Sequence, residues 1–163
     1  MGRTVSDPVI DALETLDEPY EVIACDPELA DTAAFCRAYG YEPTDSANTI
    51  VVVGKRDPRI YVACVVLADH RLDVNGAVRR RLGVRKASFA SADETAERTG
   101  MVIGGVTPVG LPSDLPVWVD AAVMTRPQIV LGGGGRDRKI VGAPAMLAKL
   151  PNAEVVDDLA RPT

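Results

Sequence analysis

The chain has 163 residues, of which 47% are hydrophobic and 25% are charged. This size and composition are typical of one globular domain, and we expect residues 1–163 to form a single domain. The formal net charge is −5 and the sequence pI is near 4.9. An acidic chain does not bind nucleic acid through bulk charge, so any contact with RNA needs a local site.

Membrane, metal and cofactor functions are not indicated. The longest apolar stretch, which includes residues 61–68, is far shorter than the ~20 residues that cross a bilayer. The N-terminal stretch MGRTVSDPVIDALETLDE carries acids throughout and lacks the apolar core of a signal peptide. Cys25, Cys36 and Cys64 are widely spaced and His70 is the one histidine, which disfavours a Cys/His metal site. We therefore expect a cytoplasmic protein with reduced thiols, no metal and no cofactor.

Helix caps and β-branched runs alternate in the first half of the chain. Ser6 or Asp7 precedes Pro8 at the start of an apolar pattern with helical spacing. The other predicted elements of this half are a strand at Tyr20–Cys25, a helix at Thr32–Tyr39 capped by Asp31 and ended by Gly40, and a hairpin of Thr49–Val53 with Ile60–Leu67 joined by GKRDPR.

The second half continues with short elements. Asp73 caps a helix that runs to Leu82, and Ser91 with Glu94 forms a capping box for a helix that Gly100 ends. The remaining predicted elements are strands at Arg85–Phe89, Pro116–Asp120, Gln128–Leu131 and Lys139–Val141, a short helix at Ala121–Met124, and a last helix from Pro144. At least two strand connections are too short for a crossover, so we predict a mixed sheet with helices packed against it.

Nucleophilic catalysis has weak candidates here. A Ser or Cys triad would have to use His70, in LADHRLD, and no GxSxG motif is present, so a solvated turn is the favoured interpretation. Asp120 ends the strand PVWVD, where a carboxylate serves equally well as a helix cap or as a site residue. Both interpretations of Asp120 stay open.

Two charged or glycine-rich runs also have plain structural interpretations. Three consecutive arginines of RRRLGVRK, residues 79–86, fan out at ~100° steps on a helix, which favours a solvated face over an RNA contact. GGGGRDRK, residues 132–139, lacks the order of a phosphate-binding P-loop and suits a hairpin turn.

The run IGGVTPVGLP, residues 103–112, combines glycines and prolines with apolar neighbours. Glycines allow a close backbone approach and converging N–H groups, and a rigid set of amide donors can stabilise an oxyanion in acyl chemistry. A structural turn explains the same composition, and the residues alone favour the turn.

The segment TGMVIGGVTPVGLPSDLPVWVDAAV resembles the YbaK/EbsC-type aminoacyl-tRNA deacylase family, which is related to the editing domain of bacterial prolyl-tRNA synthetases. The GxxxP signature of the family falls on Gly104–Pro108. RLDVNGAVRRRLGVRKASFASADETAERTG before it and IVLGGGGRDRKIVGAPAML after it keep the family order, so the resemblance covers about residues 6–160.

The resemblance implies an α+β fold around a curled, mixed and largely antiparallel sheet with surrounding helices. It implies a trans-editing enzyme that hydrolyses the ester between a mischarged amino acid and the 3′ adenosine of tRNA, with a synthetase as a further partner. Loop amides would polarise the ester carbonyl. Residue by residue, the implied catalytic set is Gly104, Gly105, Thr107, Pro108 and Asp120, and the implied pocket border is Gly133 and Gly134.

One position departs from the family pattern. Family members carry a lysine before the strand where this chain has Asn48, in SANTIVVV. An asparagine donates and accepts hydrogen bonds but supplies no positive charge. Arg85 or Arg136 are the candidates for that charge, and we predict Arg136 as a substrate-binding residue.

Three functional hypotheses follow from this departure. The favoured one is a deacylase in which Asn48 binds the substrate by hydrogen bonding. The second is a non-catalytic module that binds tRNA 3′ ends or an aminoacyl-nucleotide. The third is hydrolysis of a different small ester or amide on the same scaffold.

Overall fold

The computed structural model describes residues 7–163. Ser6, the alternative cap of the first helix, and the first residues of the N-terminal stretch lie outside this range. The α-helices are α1 (Pro8–Thr15), α2 (Thr32–Tyr39), α3 (Arg79–Leu82), α4 (Ala92–Thr99) and α5 (Ala145–Ala148).

The predicted helix ends are confirmed where local hydrogen bonds determine them. The Asp7 carboxylate accepts from the amides of Val9 and Ile10 at the start of α1. The capping box of Ser91 and Glu94 is present in full. Each of α2, α3 and α4 is followed by a glycine in the left-handed conformation, namely Gly40, Gly83 and Gly100.

Asp73 caps its helix as predicted, whereas Asp31 does not cap α2 with its side chain. The Asp73 carboxylate accepts from Gly76 and Ala77, and the first turns, Val74–Val78, form a π-helix before α3. Asp31 precedes α2 without a side-chain capping bond.

Residues 7–163 form ten strands in three sheets. The strands are β1 (Tyr20–Ala24), β2 (Ala47–Gly54), β3 (Ile60–Leu67), β4 (His70–Leu72), β5 (Ala87–Phe89), β6 (Val117–Asp120), β7 (Ile129–Gly132), β8 (Arg138–Gly142), β9 (Ala153–Val156) and β10 (Ala160–Pro162). The largest sheet has the order β5-β2-β3-β6-β9, the second β1-β8-β7, and the third β10-β4.

The largest sheet is mixed. β2 pairs antiparallel with both β3 and β5, whereas β3–β6 and β6–β9 are parallel. The pairs of the other two sheets are antiparallel. These pairings confirm the predicted α+β class with a mixed, largely antiparallel sheet, although the strands divide among three sheets.

Both faces of the largest sheet are buried. Along β3, Ala63 and Val65 point into a core formed with α1, α5 and β7, while Cys64 and Val66 point into a second core formed with the Val74–Val78 helix and Trp118. A third, smaller cluster contains Cys25, Ala30, Phe35, Val130 and Val141, and it packs beneath α2. A parallel bridge between Ser46 and Val130 joins the largest sheet to the β1-β8-β7 sheet.

Within residues 7–163, no helix has the length and apolar character needed to cross a membrane. The three cysteines are free and buried. The short helix predicted at Ala121–Met124 is a 3₁₀-helix over Ala121–Thr125, and the Asp120 side chain does not cap it.

Candidate functional site

A cavity of about 380 Å³ opens where the two larger sheets meet. β2 supplies one wall, β7 and β8 the opposite wall, and the start of α2 and the residue 103–106 loop close the ends. The lining residues are Ala30, Asp31, Thr32, Phe35, Ser46, Ala47, Asn48, Thr49, Ile50, Val51, Phe89, Ala90, Thr95, Ile103, Gly104, Val106, Val130, Leu131, Gly132 and Lys139.

The glycine-proline loop contributes residues to the cavity lining whose amides are unpaired within the described part of the chain. The Gly105 amide donates to Val102 O over 2.9 Å, and the Thr107 amide contacts Met101 Sδ at 3.5 Å. The amides of Gly104 and Val106 have no hydrogen-bond partner among the described residues. Gly104 and Val106 both line the cavity. Ile103, which also lines the cavity, likewise has an N–H group without a partner among residues 7–163.

The glycines of this loop allow the chain to pack against itself. Gly104 has φ +93°, and a Cβ there would collide with the Arg136 guanidinium. A Cβ on Gly105 would meet the Gly135 backbone at 2.6–2.8 Å. The Gly134 amide donates to Gly105 O over 2.6 Å, which joins the loop to the glycine-rich turn. The left-handed backbone conformation therefore accounts for Gly104, and the close approach of two backbone segments accounts for Gly105.

Asn48 lies at the exposed end of the β2 wall. Its Oδ1 accepts from Thr32 Oγ1 over 3.0 Å, which ties β2 to the start of α2. The next residue, Thr49, has a buried hydroxyl without a partner among residues 7–163, and it also lines the cavity. This wall therefore offers uncharged hydrogen-bonding groups.

Lys139 is the cavity cation that we did not predict. It lies on β8, is 7% exposed, and its Nζ is 3.5 Å from Gly104 O. The same Nζ is 5.7 Å from the centre of the Phe35 ring. Burial lowers the pKa of Lys139. Strand alternation places Lys139 on the face of Val141, which is buried, and this was the available sequence signal.

Several predicted site residues do not line the cavity. Gly105, Thr107 and Pro108 are buried within the loop and are not part of the cavity lining. Gly133 and Gly134 also lie outside the cavity walls, although their neighbour Gly132 is part of them. Arg136 supports the loop, because it donates to Ile103 O over 3.4 Å and to Pro27 O over 2.9 Å.

Asp120 lies at a different place, between β6 and the start of β10. It is 2% exposed, and its Oδ1 accepts from the Leu159 amide over 3.0 Å. Its Oδ2 has no partner within the described part of the chain. Burial raises the pKa of Asp120. The Asp120 carboxylate thus joins β6 to the segment before β10, a contact that neither sequence interpretation predicted.

The remaining candidates also lie outside the cavity. His70 is in β4, and its Nδ1 is 2.9 Å from Asp69 Oδ1. In the basic run, Arg79 bonds backbone carbonyls and Arg81 pairs with Glu154 and stacks on Trp118. Across residues 7–163, no group of three or more His, Cys, Asp or Glu side chains is arranged to hold a metal ion.

Sequence and structure comparisons agree on the family. The aminoacyl-tRNA editing domain model matches residues 26–150. Proline–tRNA ligase of Bacillus velezensis is 28% identical over 138 residues, which are 85% of this chain and 22% of the ligase. That of Bacillus licheniformis is 31% identical over 109 residues, 67% of this chain and 18% of the ligase. The chain thus spans about a fifth of the curated relatives it matches.

Two solved structures share the fold over nearly the whole chain. A candidate trans-editing enzyme for prolyl tRNA synthetase superposes with a TM-score of 0.80 and 26% identity, covering 98% of this chain and 100% of that one. A hypothetical protein superposes with a TM-score of 0.84 at 23% identity, covering 95% and 100%. With the family match over residues 26–150, these similarities show that the chain belongs to the aminoacyl-tRNA editing domain family.

Proposed function

We propose that this protein is a trans-editing hydrolase that removes the amino acid from mischarged tRNA. Family membership and the similarity to a candidate trans-editing enzyme support editing in general. The candidate site supports the finer statement, which is hydrolysis of the ester at the 3′ adenosine. We further propose that residues 1–163 act as one editing domain, in the cytoplasm, where charged tRNAs and synthetases are present.

The observation that carries this proposal is the presence of unpaired loop amides in the cavity lining. Gly104 and Val106 line the cavity, and neither N–H has a partner among the described residues. Amide donors that are already held in position stabilise negative charge on a carbonyl oxygen without reorganisation in the transition state. An ester carbonyl bound between these amides becomes more electrophilic.

Hydrolysis in this site needs one water and no protein nucleophile. Water adds to the ester carbon, and the carbonyl electron pair moves onto the oxygen beside the loop amides. Collapse of the tetrahedral intermediate breaks the bond to the 3′ oxygen, which takes up a proton from the attacking water. The products are a free amino acid and a tRNA with a 3′ hydroxyl. Asn48, on the opposite wall, would contribute a further hydrogen bond to the substrate.

The cavity rim offers a surface for the terminal nucleotide. Phe89 is 58% exposed and belongs both to the candidate cavity and to a neighbouring groove of about 870 Å³. That groove carries Arg71 and Arg161, which face each other across the β4–β10 pair. An aromatic ring can stack on the adenine, and arginines can pair with the preceding phosphates. These features support a local contact with the 3′ end of tRNA on an otherwise acidic protein.

The direct test is a panel of mischarged tRNAs incubated with the purified protein. Substrates with small side chains, such as Ala, Ser and Cys, together with Pro, fit a cavity of about 380 Å³. We expect release of the amino acid from at least one of them, at a rate well above that of spontaneous hydrolysis. No release from any substrate, under conditions in which a lysine-bearing family member works, would overturn the proposal.

Val106→Pro tests the amide donors because it removes the N–H of this residue. We expect kcat to fall about 10²–10³-fold, as for loss of one oxyanion donor. Val106→Ala is the matched control, since it shortens the side chain and keeps the N–H. Thermal unfolding of both variants separates loss of chemistry from loss of fold. Equal rates for the two variants would remove the Val106 amide from the mechanism.

A non-catalytic binding module is the second candidate. It is favoured by the bond from Thr32 to Asn48, which occupies the Asn48 oxygen where family members have a charged side chain. In that case the protein would bind a non-hydrolysable aminoacyl-adenosine and release no amino acid in the panel. Affinity that is independent of the aminoacyl group would contradict this candidate as well.

A further inference from the structure

The candidate cavity contains a buried positive charge, and no acidic side chain of the described residues forms an ion pair with it. Lys139 is 7% exposed, and its Nζ reaches Gly104 O at 3.5 Å and the Phe35 ring at 5.7 Å. Among residues 7–163, no carboxylate oxygen lies within 4.0 Å of this Nζ. One long hydrogen bond and one ring face leave most of the ammonium's hydrogen-bonding capacity unused.

A charge in this setting is costly for the fold. Desolvation of an ammonium group destabilises the folded state unless a partner compensates for it. A lysine that served packing alone could be replaced by methionine or leucine without this cost. Buried, weakly compensated charges in a cavity are instead typical of functional sites.

The other basic side chains near the cavity are already engaged. Arg138 forms an ion pair with Asp7 and donates to Gly133 O. Arg136 bonds two backbone carbonyls and lies 3.8 Å from an oxygen of Asp31. Lys139 is the basic residue that lines the cavity itself.

We propose that Lys139 is the catalytic cation of this site, and that it binds the oxyanion formed when water attacks the ester. The inference rests on the proposed function. Lys139 lies beside Gly104, whose amide has no partner among the described residues. The ammonium group stays protonated throughout and transfers no proton, so it adds electrostatic stabilisation to the amide hydrogen bonds. Its charge enters from β8, whereas the family pattern supplies a lysine from β2, at the position of Asn48.

The first experiment compares single-turnover deacylation by the wild type, Lys139→Met and Lys139→Arg. Methionine keeps the approximate volume without the charge, and we expect its rate to fall about 100-fold or more. Lys139→Arg should retain a larger part of the wild-type deacylation rate than Lys139→Met does. Lys149→Met is the control, because Lys149 is a surface lysine paired with Glu18. A Lys139→Met rate within about twofold of the wild type would overturn the proposal.

A charge-relocation variant distinguishes catalysis from packing. Asn48→Lys in the Lys139→Met background returns a cation to the same cavity from the opposite wall. We expect it to recover at least tenfold of the lost rate. Thermal unfolding should show that Lys139→Met is no less stable than the wild type, because a desolvated charge has been removed. A large loss of stability in Lys139→Met, with no recovery of rate in the double variant, would assign Lys139 to packing.

The pH profile is a second readout. Facing Lys139 are the Cys25 and Cys36 thiols, the Asp31 carboxylate and the Arg136 guanidinium. Because burial lowers the pKa of Lys139, the wild-type rate should decline at a lower pH than an exposed lysine would give. Lys139→Arg should move this decline to higher pH. An identical alkaline limb in the two proteins would contradict a role for the Lys139 charge.

Binding of an oxyanion mimic separates this inference from the proposed activity. The probes are 3′-adenosine monoesters of aminoalkylphosphonates that correspond to glycine, alanine and proline, measured by calorimetry. We expect the best of them to bind Lys139→Met at least tenfold more weakly than the wild type. Equal affinity would overturn the role of Lys139 alone, whatever the deacylation panel shows. No binding of any probe to the wild type would overturn both proposals.

Discussion

At the scale of single residues, the position of a charge in space matters more than its position in the chain. Asn48 on β2 and Lys139 on β8 line the same cavity, although 91 positions separate them in the sequence. Under our proposals, the chain replaces a charged side chain by a neutral one on one wall and carries the charge on the other. The hydrogen bond from Thr32 then holds Asn48 as part of the cavity rim.

Phe89→Ala tests whether the aromatic ring at the cavity rim binds the terminal nucleotide of tRNA. If the ring stacks on the terminal adenine, its removal should raise KM about tenfold or more, in line with about 1–3 kcal/mol for one base–aromatic contact. We expect kcat to change little, because stacking is equal in the ground state and the transition state. Steady-state deacylation kinetics provide the measurement.

Two variants serve as controls for Phe89→Ala. Phe89→Tyr keeps the ring and should bind as the wild type does. Val102→Ala removes another exposed apolar side chain, 53% exposed, that does not line the cavity. A rise in KM of the same size in Val102→Ala would argue against specific stacking on Phe89.

At the scale of elements, α1 is attached to the sheet that bears Lys139. Asp7 caps α1 and also forms an ion pair with Arg138, the neighbour of Lys139 on β8. The hydrogen bonds and charge of Arg138 lower the pKa of Asp7 to about 2. The Asp7 carboxylate therefore caps the start of α1 and connects this helix to the second sheet.

Asp7→Ala should reduce the free energy of unfolding by about 1–2 kcal/mol at neutral pH, the range observed for loss of an N-cap. Because the folded pKa of about 2 lies below the model value of 3.8, this stabilisation is present above about pH 4 and is lost as the pH falls toward 2. Urea unfolding at several pH values measures the difference. Asp7→Asn keeps a capping oxygen and should therefore lose less of the free energy of unfolding than Asp7→Ala does. A difference that grows on acidification would contradict this account.

At the scale of the whole molecule, the cavity exists because two sheets meet at one edge. The Ser46–Val130 bridge joins them, and the bond between Gly134 and Gly105 fastens the glycine-proline loop to the glycine-rich turn. The glycine-proline loop is thereby held between the sheets, and the amides of Gly104 and Val106 stay without a partner among residues 7–163. Long-range contacts, rather than the loop itself, make it a candidate oxyanion site.

Asp120 provides a whole-molecule test, because its carboxylate joins β6 to the segment before β10. Burial raises its pKa, so the folded state favours the protonated form. Its contribution to stability is present below the unfolded pKa and is lost as the pH rises through the folded pKa. Asp120→Asn does not titrate and still offers an acceptor to Leu159.

We therefore expect the stability of Asp120→Asn, relative to the wild type, to increase as the pH rises from about 4 to 7. The expected gain is on the order of 1 kcal/mol for each unit of pKa shift. Chemical denaturation at a series of pH values measures it. A constant difference between the two proteins across this range would contradict a raised pKa for Asp120.

Much of the fold could be predicted because its signals are local. The Asp7 cap, the Ser91–Glu94 box and the β2–β3 hairpin each depend on residues that are close in the chain. Three short strands, β4, β9 and β10, were missed. They have three or four residues each, and β10 contains Pro162, so neither alternation nor composition marks them. Tertiary pairing makes them strands.

The sequence by itself determined the helix ends, the hairpin and the stiff glycine-proline loop, because capping bonds and backbone restrictions act over a few residues. It also carried the family resemblance. Only the tertiary structure decided that Lys139 lines the cavity. It also decided that Arg136 lies outside the cavity and bonds the glycine-proline loop, and that Asp120 lies away from the cavity, beside Leu159. These placements depend on which face of which sheet meets another element, and that packing joins residues far apart in the chain.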